Sequence, residues 1–264
     1  MASFYSLYSG STGNCTYIGA RHRGILIDAG ASAKGILSKL EKKDILHESI
    51  AAIFITHEHT DHIKGLGALL KKIKVPVAAS AQTLAAVAEH CKLPADAVLF
   101  EMSDATAEFS GFNVSRFSTS HDCEGSGGYT VITPDDKKIS VCTDLGVVTD
   151  GVREALRGSD LVLIESNHDI KMLKNGPYPP QLKLRIMSDL GHLSNNACAA
   201  ELPALMNSGT SRYVLGHLSM HNNLPALAAA AARGALADLC AKENQDYILK
   251  VAQPQNLNGD IIYL

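Results

Sequence analysis

The hydrophobic and polar positions of this chain follow two alternating spacings. Short apolar runs rich in β-branched residues, such as 50–56 and 160–166, are typical of buried strands. Between them, apolar residues recur every three or four positions, as in amphipathic helices. Helices are predicted over residues 34–43, 62–73, 81–91, 150–157, 195–206 and 223–242. This alternation of strands and helices predicts the α/β class.

Two regions depart from this alternation of strands and helices. Residues 97–145 have a strand pattern almost throughout, and residues 167–193 are predicted to be a polar loop. The last long helix is predicted to be capped by Asn222 or Asn223, with Pro225 in its first turn. Because no linker, repeat or low-complexity tract interrupts the pattern, we expect one domain spanning residues 1–264.

Composition narrows the class of protein. Of the 264 residues, 46% are hydrophobic and 19% are charged, which is typical of a compact globular enzyme. The net charge of −3 argues against a generally basic nucleic-acid-binding surface but allows a local basic groove. Six cysteines without a CxxC pair predict reduced thiols, and no secretory signal or long apolar span is visible. We therefore expect a cytoplasmic protein with no membrane segment, whose oligomeric state the sequence leaves open.

The strand at 50–56 leads directly into a cluster of potential metal ligands. His57, His59, Asp61 and His62 fall within six residues, in the pattern HxHxDH. Imidazole nitrogens and a carboxylate suit Zn, Mn or Fe. In an extended segment His57, His59 and Asp61 lie on one side, because successive side chains alternate. The pattern therefore predicts a metal site.

Similar residues follow other predicted strands. His121, Asp144 and His217 each come just after a strand. Together with the four residues of the first cluster they make seven candidate metal ligands. Two metal ions need roughly seven ligands when one carboxylate is shared. Asp28, at the end of another predicted strand, is expected to orient a ligand rather than to bind the metal itself.

This set of residues resembles the metallo-β-lactamase superfamily over nearly the whole chain. The resemblance implies an αββα sandwich with two divalent metal ions at the sheet edges. It implies that His57, His59 and His121 bind one ion, that Asp61, His62 and His217 bind the other, and that Asp144 bridges them. Asp61 is accordingly expected to be essential for catalysis.

The branch of the superfamily is indicated by further residues. Classical β-lactamases of this fold have a Cys where this chain has Asp144, which is instead typical of hydrolases of phosphodiesters, thioesters and lactones. The segments around Glu165 and His192 are similar to those of tRNA 3′-processing endonucleases, where the pair donates a proton to the leaving group. The chain lacks an evident glycine-rich clamping arm. As a whole it resembles the bacterial WalJ/YycJ-type hydrolases, which implies a 5′–3′ DNA exonuclease-like activity.

Weaker patterns indicate substrate contacts. Ser11 and Asn14 lie in the turn SGSTGN, which can offer donors to a phosphate or can be a plain hairpin turn. His168 can contact substrate or brace its loop. Four cationic residues lie in the loop between Glu165 and His192. They either bind the phosphates of a nucleic-acid backbone or form a solvated charged surface. These cations are Lys171, Lys174, Lys183 and Arg185.

The favoured function is two-metal hydrolysis of a phosphodiester by a metal-bound hydroxide, with nucleic acid as substrate and DNA preferred through the resemblance. Hydrolysis of a small lactone, thioester or cyclic phosphodiester in the same site is a second possibility. A third is a di-iron redox or sensor protein, which the lack of a flavin-binding or rubredoxin-like segment disfavours. The identity of the metal does not follow from the ligands.

Overall fold

The computed structural model describes residues 1–103 and 106–264; Asp104 and Ala105, in the region predicted to be rich in strands, lie outside the described residues. The described strands are β1 (Ser3–Tyr8), β2 (Cys15–Ala20), β3 (Arg23–Ile27), β4 (Ile50–Phe54), β5 (Val77–Ala79), β6 (Leu99–Glu101), β7 (Ala107–Phe109), β8 (Phe112–Ser118), β9 (Gly127–Ile132), β10 (Lys138–Cys142), β11 (Leu161–Glu165), β12 (Arg212–Gly216), β13 (Ile248–Val251) and β14 (Ile262–Tyr263). They form two sheets flanked by helices, which confirms the predicted α/β class.

Several of the helices begin directly after a capping side chain. The helices are α1 (Ala33–Glu41), α2 (Thr60–Ile63), α3 (Leu66–Leu70), α4 (Ala81–His90), α5 (Asp150–Leu156), α6 (Ile170–Asn175), α7 (Pro180–Ile186), α8 (Asn195–Asn207) and α9 (Pro225–Ala237), with a 3₁₀ turn at His47–Ser49. Ser32, Ser80 and Ser194 accept hydrogen bonds from backbone N–H groups in the first turns of α1, α4 and α8.

The chain divides into two compact units. The first comprises Met1–Arg116, Cys123–Lys137 and Gln253–Leu264; the second comprises Phe117–Asp122 and Lys138–Ala252. In the first unit the strand order is β14-β1-β2-β3-β4-β5-β6, and β3 to β6 run parallel. In the second unit β10, β11, β12 and β13 pair in this order, all parallel. Parallel strands bring several carboxyl ends to one sheet edge, where ligand sites form in α/β proteins.

Each unit has its own hydrophobic core. In the first, Leu26 and Ile53 of the sheet pack with Ile36 of α1 and Leu69 of α3. In the second, strands β10 to β12 pack against α5, α8 and α9 through buried aliphatic side chains such as Leu202. Burying such aliphatic surface is the main driving force for folding. Because the cores are close-packed, they hold the strands that carry the candidate ligands in fixed positions.

Three local predictions are wrong. The helix predicted over 62–73 is two short helices, because the N–H of Gly65 bonds to the carbonyl of Ala29 and interrupts the helical pattern. The predicted loop 167–193 contains α6 and α7, since Asp169 caps the first and Pro180 starts the second. Neither Asn222 nor Asn223 is the cap of α9, which begins after Leu224.

Candidate metal centre and proton donor

The HxHxDH motif lies at the carboxyl end of β4 in the first unit. His57 follows the strand, His59 has extended backbone directly before α2, and α2 carries Asp61 and His62. His57 and His62 are buried, whereas His59 and Asp61 are partly exposed. The ring centroid of His57 lies 4.6 Å from that of His59 and 4.0 Å from that of His62. The structure therefore brings these three imidazoles into one cluster.

Asp28 orients the motif from the neighbouring strand. Ile27 and Phe54 are paired in parallel register, so Asp28 reaches the same sheet edge as Thr56 and His57. Its buried Oδ2 accepts a hydrogen bond from His62 Nδ1 at 2.8 Å, and its Oδ1 accepts one from the Thr56 N–H at 2.9 Å. A histidine held through Nδ1 by a carboxylate presents Nε2 as its ligand atom. These contacts support the orienting role of Asp28, which stays a prediction.

Thr56 is a further member of this cluster that the sequence analysis does not single out. Its hydroxyl lies 3.0 Å from Asp28 Oδ2, 3.0 Å from His57 Nδ1 and 3.1 Å from His62 Nδ1. One side chain thus contacts both histidines of the motif and their supporting carboxylate. Its position directly before the motif, at the end of an apolar strand, was the available signal.

The turn SGSTGN braces the metal-binding loop. Asn14 is buried; its backbone N–H bonds to the Asp61 carbonyl at 2.7 Å, and its side-chain Nδ2 lies 3.2 Å from Asp61 Oδ2 and 3.0 Å from His62 Nε2. Gly30 is needed here because a Cβ atom would collide with the Asp61 carbonyl. Ser11, in the same turn, is exposed.

Cys123 is a further potential ligand in the first unit. The ligand atoms of His57, His59 and Cys123 lie within 4.8 Å of one another. Thiolates also bind zinc. Its place two residues after His121 was the only indication in the sequence.

In the second unit, three acidic and imidazole side chains gather at the carboxyl ends of adjacent parallel strands. Cys142 pairs with Ile164, and Glu165 pairs with Gly216, so Asp144, Glu165 and His217 reach the same edge. Asp144 and His217 both have positive φ angles, 59° and 53°, and Asp28 in the first unit has 63°. Such angles are uncommon outside glycine and cluster at functional sites.

Glu165 is the centre of this group. Its side chain is fully buried; Oε1 accepts hydrogen bonds from Nδ1 of His192 at 2.9 Å and from Nδ1 of His217 at 2.7 Å. Oε2 accepts bonds from the N–H groups of Leu193 at 2.9 Å and Leu145 at 3.2 Å. Burial alone would raise the pKa of Glu165, but the charge and hydrogen bond of His192 and the hydrogen bond of His217 lower it to about 2. Glu165 is therefore a carboxylate at neutral pH.

His192 is partly exposed, whereas Asp144, Glu165 and His217 beside it are buried. Burial lowers its pKa, but the charge and hydrogen bond of Glu165 and the charge of Asp144 outweigh it, so that the pKa is raised above its usual value. Its backbone N–H bonds to the Ile186 carbonyl at 3.0 Å, which fixes the residue between α7 and α8. The arrangement can hold a proton near neutral pH and deliver it to a substrate atom.

Asp144 and His121 complete the group in the second unit. Asp144 Oδ1 lies 3.3 Å from His217 Nδ1, 3.7 Å from His192 Nδ1 and 3.9 Å from His121 Nε2. His121 Nδ1 donates to the Gly191 carbonyl at 3.1 Å, and burial lowers the pKa of this histidine. A neutral imidazole is the form that binds metals.

The remaining predicted contacts occupy different environments. His168 is buried, burial lowers its pKa, and its carbonyl accepts a hydrogen bond from the Asn195 N–H. Lys183 Nζ donates to the Lys174 carbonyl at 2.8 Å, whereas Arg185 forms an ion pair with Asp122 at 2.5 Å. The charge of Arg185 is thus already balanced by a neighbour.

Comparison with known proteins assigns the class. The family model described as the β-lactamase superfamily domain matches residues 23–218. The metallo-β-lactamase fold protein YhfI from Bacillus subtilis matches the fold with a TM-score of 0.74 at 15% sequence identity, covering 99% of this chain and 98% of that one. The chain belongs to the β-lactamase superfamily, which confirms the resemblance seen in the sequence and the predicted sandwich fold.

Sequence relatives specify the branch further. The chain is 36% identical over 228 residues to exodeoxyribonuclease YycJ of Bacillus anthracis, covering 85% of both proteins. It is 38% identical over 226 residues to exodeoxyribonuclease WalJ of Streptococcus pneumoniae, covering 84% of this chain and 83% of that protein. Within the described ranges, none of the helices is long and apolar enough to cross a membrane.

Proposed function

We propose that this protein is a metal-dependent exodeoxyribonuclease that hydrolyses DNA from the 5′ end. The observation that carries the proposal is the Glu165–His192 pair, whose raised histidine pKa suits a proton donor. An alkoxide leaving from phosphorus needs such a donor, whereas the leaving group of a thioester does not. The similarity to two exodeoxyribonucleases over more than four fifths of the chain supports the choice of DNA.

The proposal includes two divalent metal ions, Zn, Mn or Fe, as resident cofactors. Imidazoles and carboxylates are suitable donors for all three. Two of the histidines, His62 and His217, are held through Nδ1 by Asp28 and Glu165, as metal-binding histidines usually are. The proposed ligands are His57, His59, Asp61, His62, His121, Asp144 and His217.

The chain's own residues have distinct tasks in this reaction. The bound metals would supply an activated water and neutralise charge on the phosphoryl oxygens. Asp28 and Glu165 hold the histidine ligands in one orientation. His192 carries a proton on the nitrogen opposite Glu165 and transfers it to the departing sugar oxygen, which converts a poor leaving group into an alcohol.

A substrate panel tests the proposal. The Mn- or Zn-loaded protein is incubated with end-labelled linear DNA, circular plasmid, RNA, a lactone and a thioester. We expect nucleotides to be released from linear DNA while closed circles persist, and Asp61→Ala to abolish the release. Hydrolysis of the lactone or thioester with intact linear DNA would refute the nuclease assignment.

The cellular setting follows from the same proposal. All six cysteines are free thiols in the structure, which fits the reducing cytoplasm where chromosomal DNA is found in bacteria. Fractionation of cells that express the tagged protein would test this placement, and recovery in an extracytoplasmic fraction would contradict it.

A further inference from the structure

A cleft of about 730 Å³ opens beside the metal-binding motif in the first unit. It is lined by His59 of the motif, by residues of α2 and α3, and by residues 90–92 at the end of α4. Three lysines line it: Lys64, Lys71 and Lys92. This volume is in the range of small-ligand pockets, so a nucleotide-sized group fits.

Local structure explains why the lysines converge. Lys64 directly follows α2 and Lys71 directly follows α3, and both side chains line the cleft. Lys92 joins them because α3 has Gly67 at the contact, where a Cβ atom would lie only 2.6 Å from the Lys92 carbonyl oxygen. The glycine therefore allows the two segments to approach, and the cleft is a built feature of this unit.

The positive charge of the cleft is not balanced by acidic partners. Among the described residues, Lys64, Lys71 and Lys92 form no ion pair, and Glu58 is the one acidic side chain that lines the cleft. Lys74, just outside it, shows the contrast because it pairs with Asp96 at 2.8 Å. Cationic clefts with low-dielectric walls concentrate anions. In a chain with a net charge of −3, this local excess of positive charge indicates an anionic ligand.

We propose that this cleft binds the phosphodiester backbone of the DNA strand next to the linkage being cleaved. The proposal rests on the proposed nuclease function and names the surface that holds the substrate. Among the cations of residues 171–185, Arg185 suits this task less well, because its charge is paired with Asp122. In the cleft, Lys64 Nζ donates to the Thr12 carbonyl at 3.2 Å, a neutral partner that leaves its positive charge unbalanced. Lysines act as phosphate binders through point charge, without reading the base sequence.

The test compares two triple variants with the same change in charge. Lys64→Gln, Lys71→Gln and Lys92→Gln neutralise the cleft; Lys34→Gln, Lys42→Gln and Lys72→Gln neutralise exposed lysines outside it. The metal-loaded proteins are titrated with a fluorescent phosphorothioate oligonucleotide that resists cleavage. We expect the cleft variant to weaken binding about 10- to 100-fold near 0.1 M salt and to reduce the slope of log Kd against log salt by about 2, since each single-strand contact contributes about 0.7. The control variant should keep both within about twofold of the unaltered protein.

A steric variant covers the case in which the triple variant fails to fold. Ala68 is exposed on α3 and lines the cleft, so Ala68→Phe would fill it without changing any charge. It should raise Kd and KM for DNA with little change in melting temperature. If Kd and slope match the control in the folded cleft variants while the protein degrades DNA, the cleft proposal is wrong and the nuclease function stands. A protein that neither binds nor degrades DNA overturns both.

Discussion

Oε1 of Glu165 accepts a hydrogen bond from Nδ1 of His192 at 2.9 Å. The same oxygen accepts a bond from Nδ1 of His217, at 2.7 Å. One buried carboxylate therefore orients both the proposed proton donor and a proposed metal ligand. A change at Glu165 is expected to disturb two steps of the chemistry, whereas a change at His192 disturbs one.

The first prediction separates these roles by means of the leaving group. His192→Ala should slow DNA hydrolysis by about 10²- to 10⁴-fold, because the sugar alkoxide loses its proton donor. It should barely affect bis-nitrophenyl phosphate, whose nitrophenolate leaves without a proton. The measurement is kcat for both substrates.

Glu165→Gln is the informative companion to His192→Ala. Because Glu165 also holds His217, it should slow both substrates and weaken metal binding by about 10- to 100-fold. Equal losses on both substrates for His192→Ala would place His192 in metal geometry and remove the main support for phosphodiester chemistry.

A second prediction concerns pH. The net effect of the buried Glu165 carboxylate is to raise the pKa of His192, so its protonated form persists to higher pH than that of an ordinary histidine. The proton donor is present below that pKa and is lost as pH rises through it. We expect kcat for DNA to fall on the alkaline side, and kcat for bis-nitrophenyl phosphate to lack this fall. An alkaline fall of the same size in His192→Ala would assign it to another group.

The individual ligand candidates could be predicted because their signals are local. His57, His59, Asp61 and His62 follow one apolar strand within six residues, and strand ends in parallel sheets converge by topology. The roles of Thr56 and Lys92 could not be predicted in this way. Thr56 gains its role from contacts to Asp28 across 28 residues, and Lys92 gains its place from the close approach of Gly67. Such contacts depend on tertiary packing, which periodicity does not encode.

The segment between Glu165 and His192 illustrates the opposite error. Its polar composition predicted a loop, yet it contains α6 and α7, each only six or seven residues long. The capping signals, Asp169 and Pro180, were present in the sequence. Because the two helices are largely exposed, their apolar periodicity is weak. A prediction based on periodicity therefore gives a loop despite the capping residues. Short surface helices depend more on caps than on an apolar face.

A third prediction tests the carboxylate that supports His62. Asp28→Asn retains an acceptor for the Thr56 N–H but removes the negative charge beside His62 Nδ1. We expect metal affinity to fall by about 10- to 100-fold, measured by competition with a chelating dye. Asp136→Asn is the matched control, because this exposed aspartate also has a positive φ, 56° against 63° for Asp28. Equal affinities in the two variants would mean that Asp28 has only a structural role.

A fourth prediction concerns the number of metal ions. Seven proposed ligands with one bridging carboxylate should bind two ions per chain. Elemental analysis of protein saturated with Mn or Zn should therefore approach two equivalents, and Asp61→Ala should retain about one while losing DNA hydrolysis. Saturation of the unaltered protein at a single equivalent would contradict the bridge assigned to Asp144.

The last prediction follows from the backbone of His217, which has a φ angle of 53°. An L-residue in this left-handed region costs about 1–2 kcal/mol, whereas glycine adopts it without a steric cost. In metal-free protein, His217→Gly should therefore be more stable than His217→Ala by about 1 kcal/mol, measured by urea unfolding. Ser219 is a suitable reference because its φ is not positive. Ser219→Gly should be less stable than Ser219→Ala, because glycine gives the unfolded chain more conformational freedom to lose on folding. If glycine were the less stable choice at both positions, the left-handed backbone at His217 would not be a property of the folded chain. If glycine is the more stable choice at position 217 and alanine at position 219, the folded chain holds His217 in the left-handed region without any bound metal. The backbone at the end of β12 then sets the direction of this side chain.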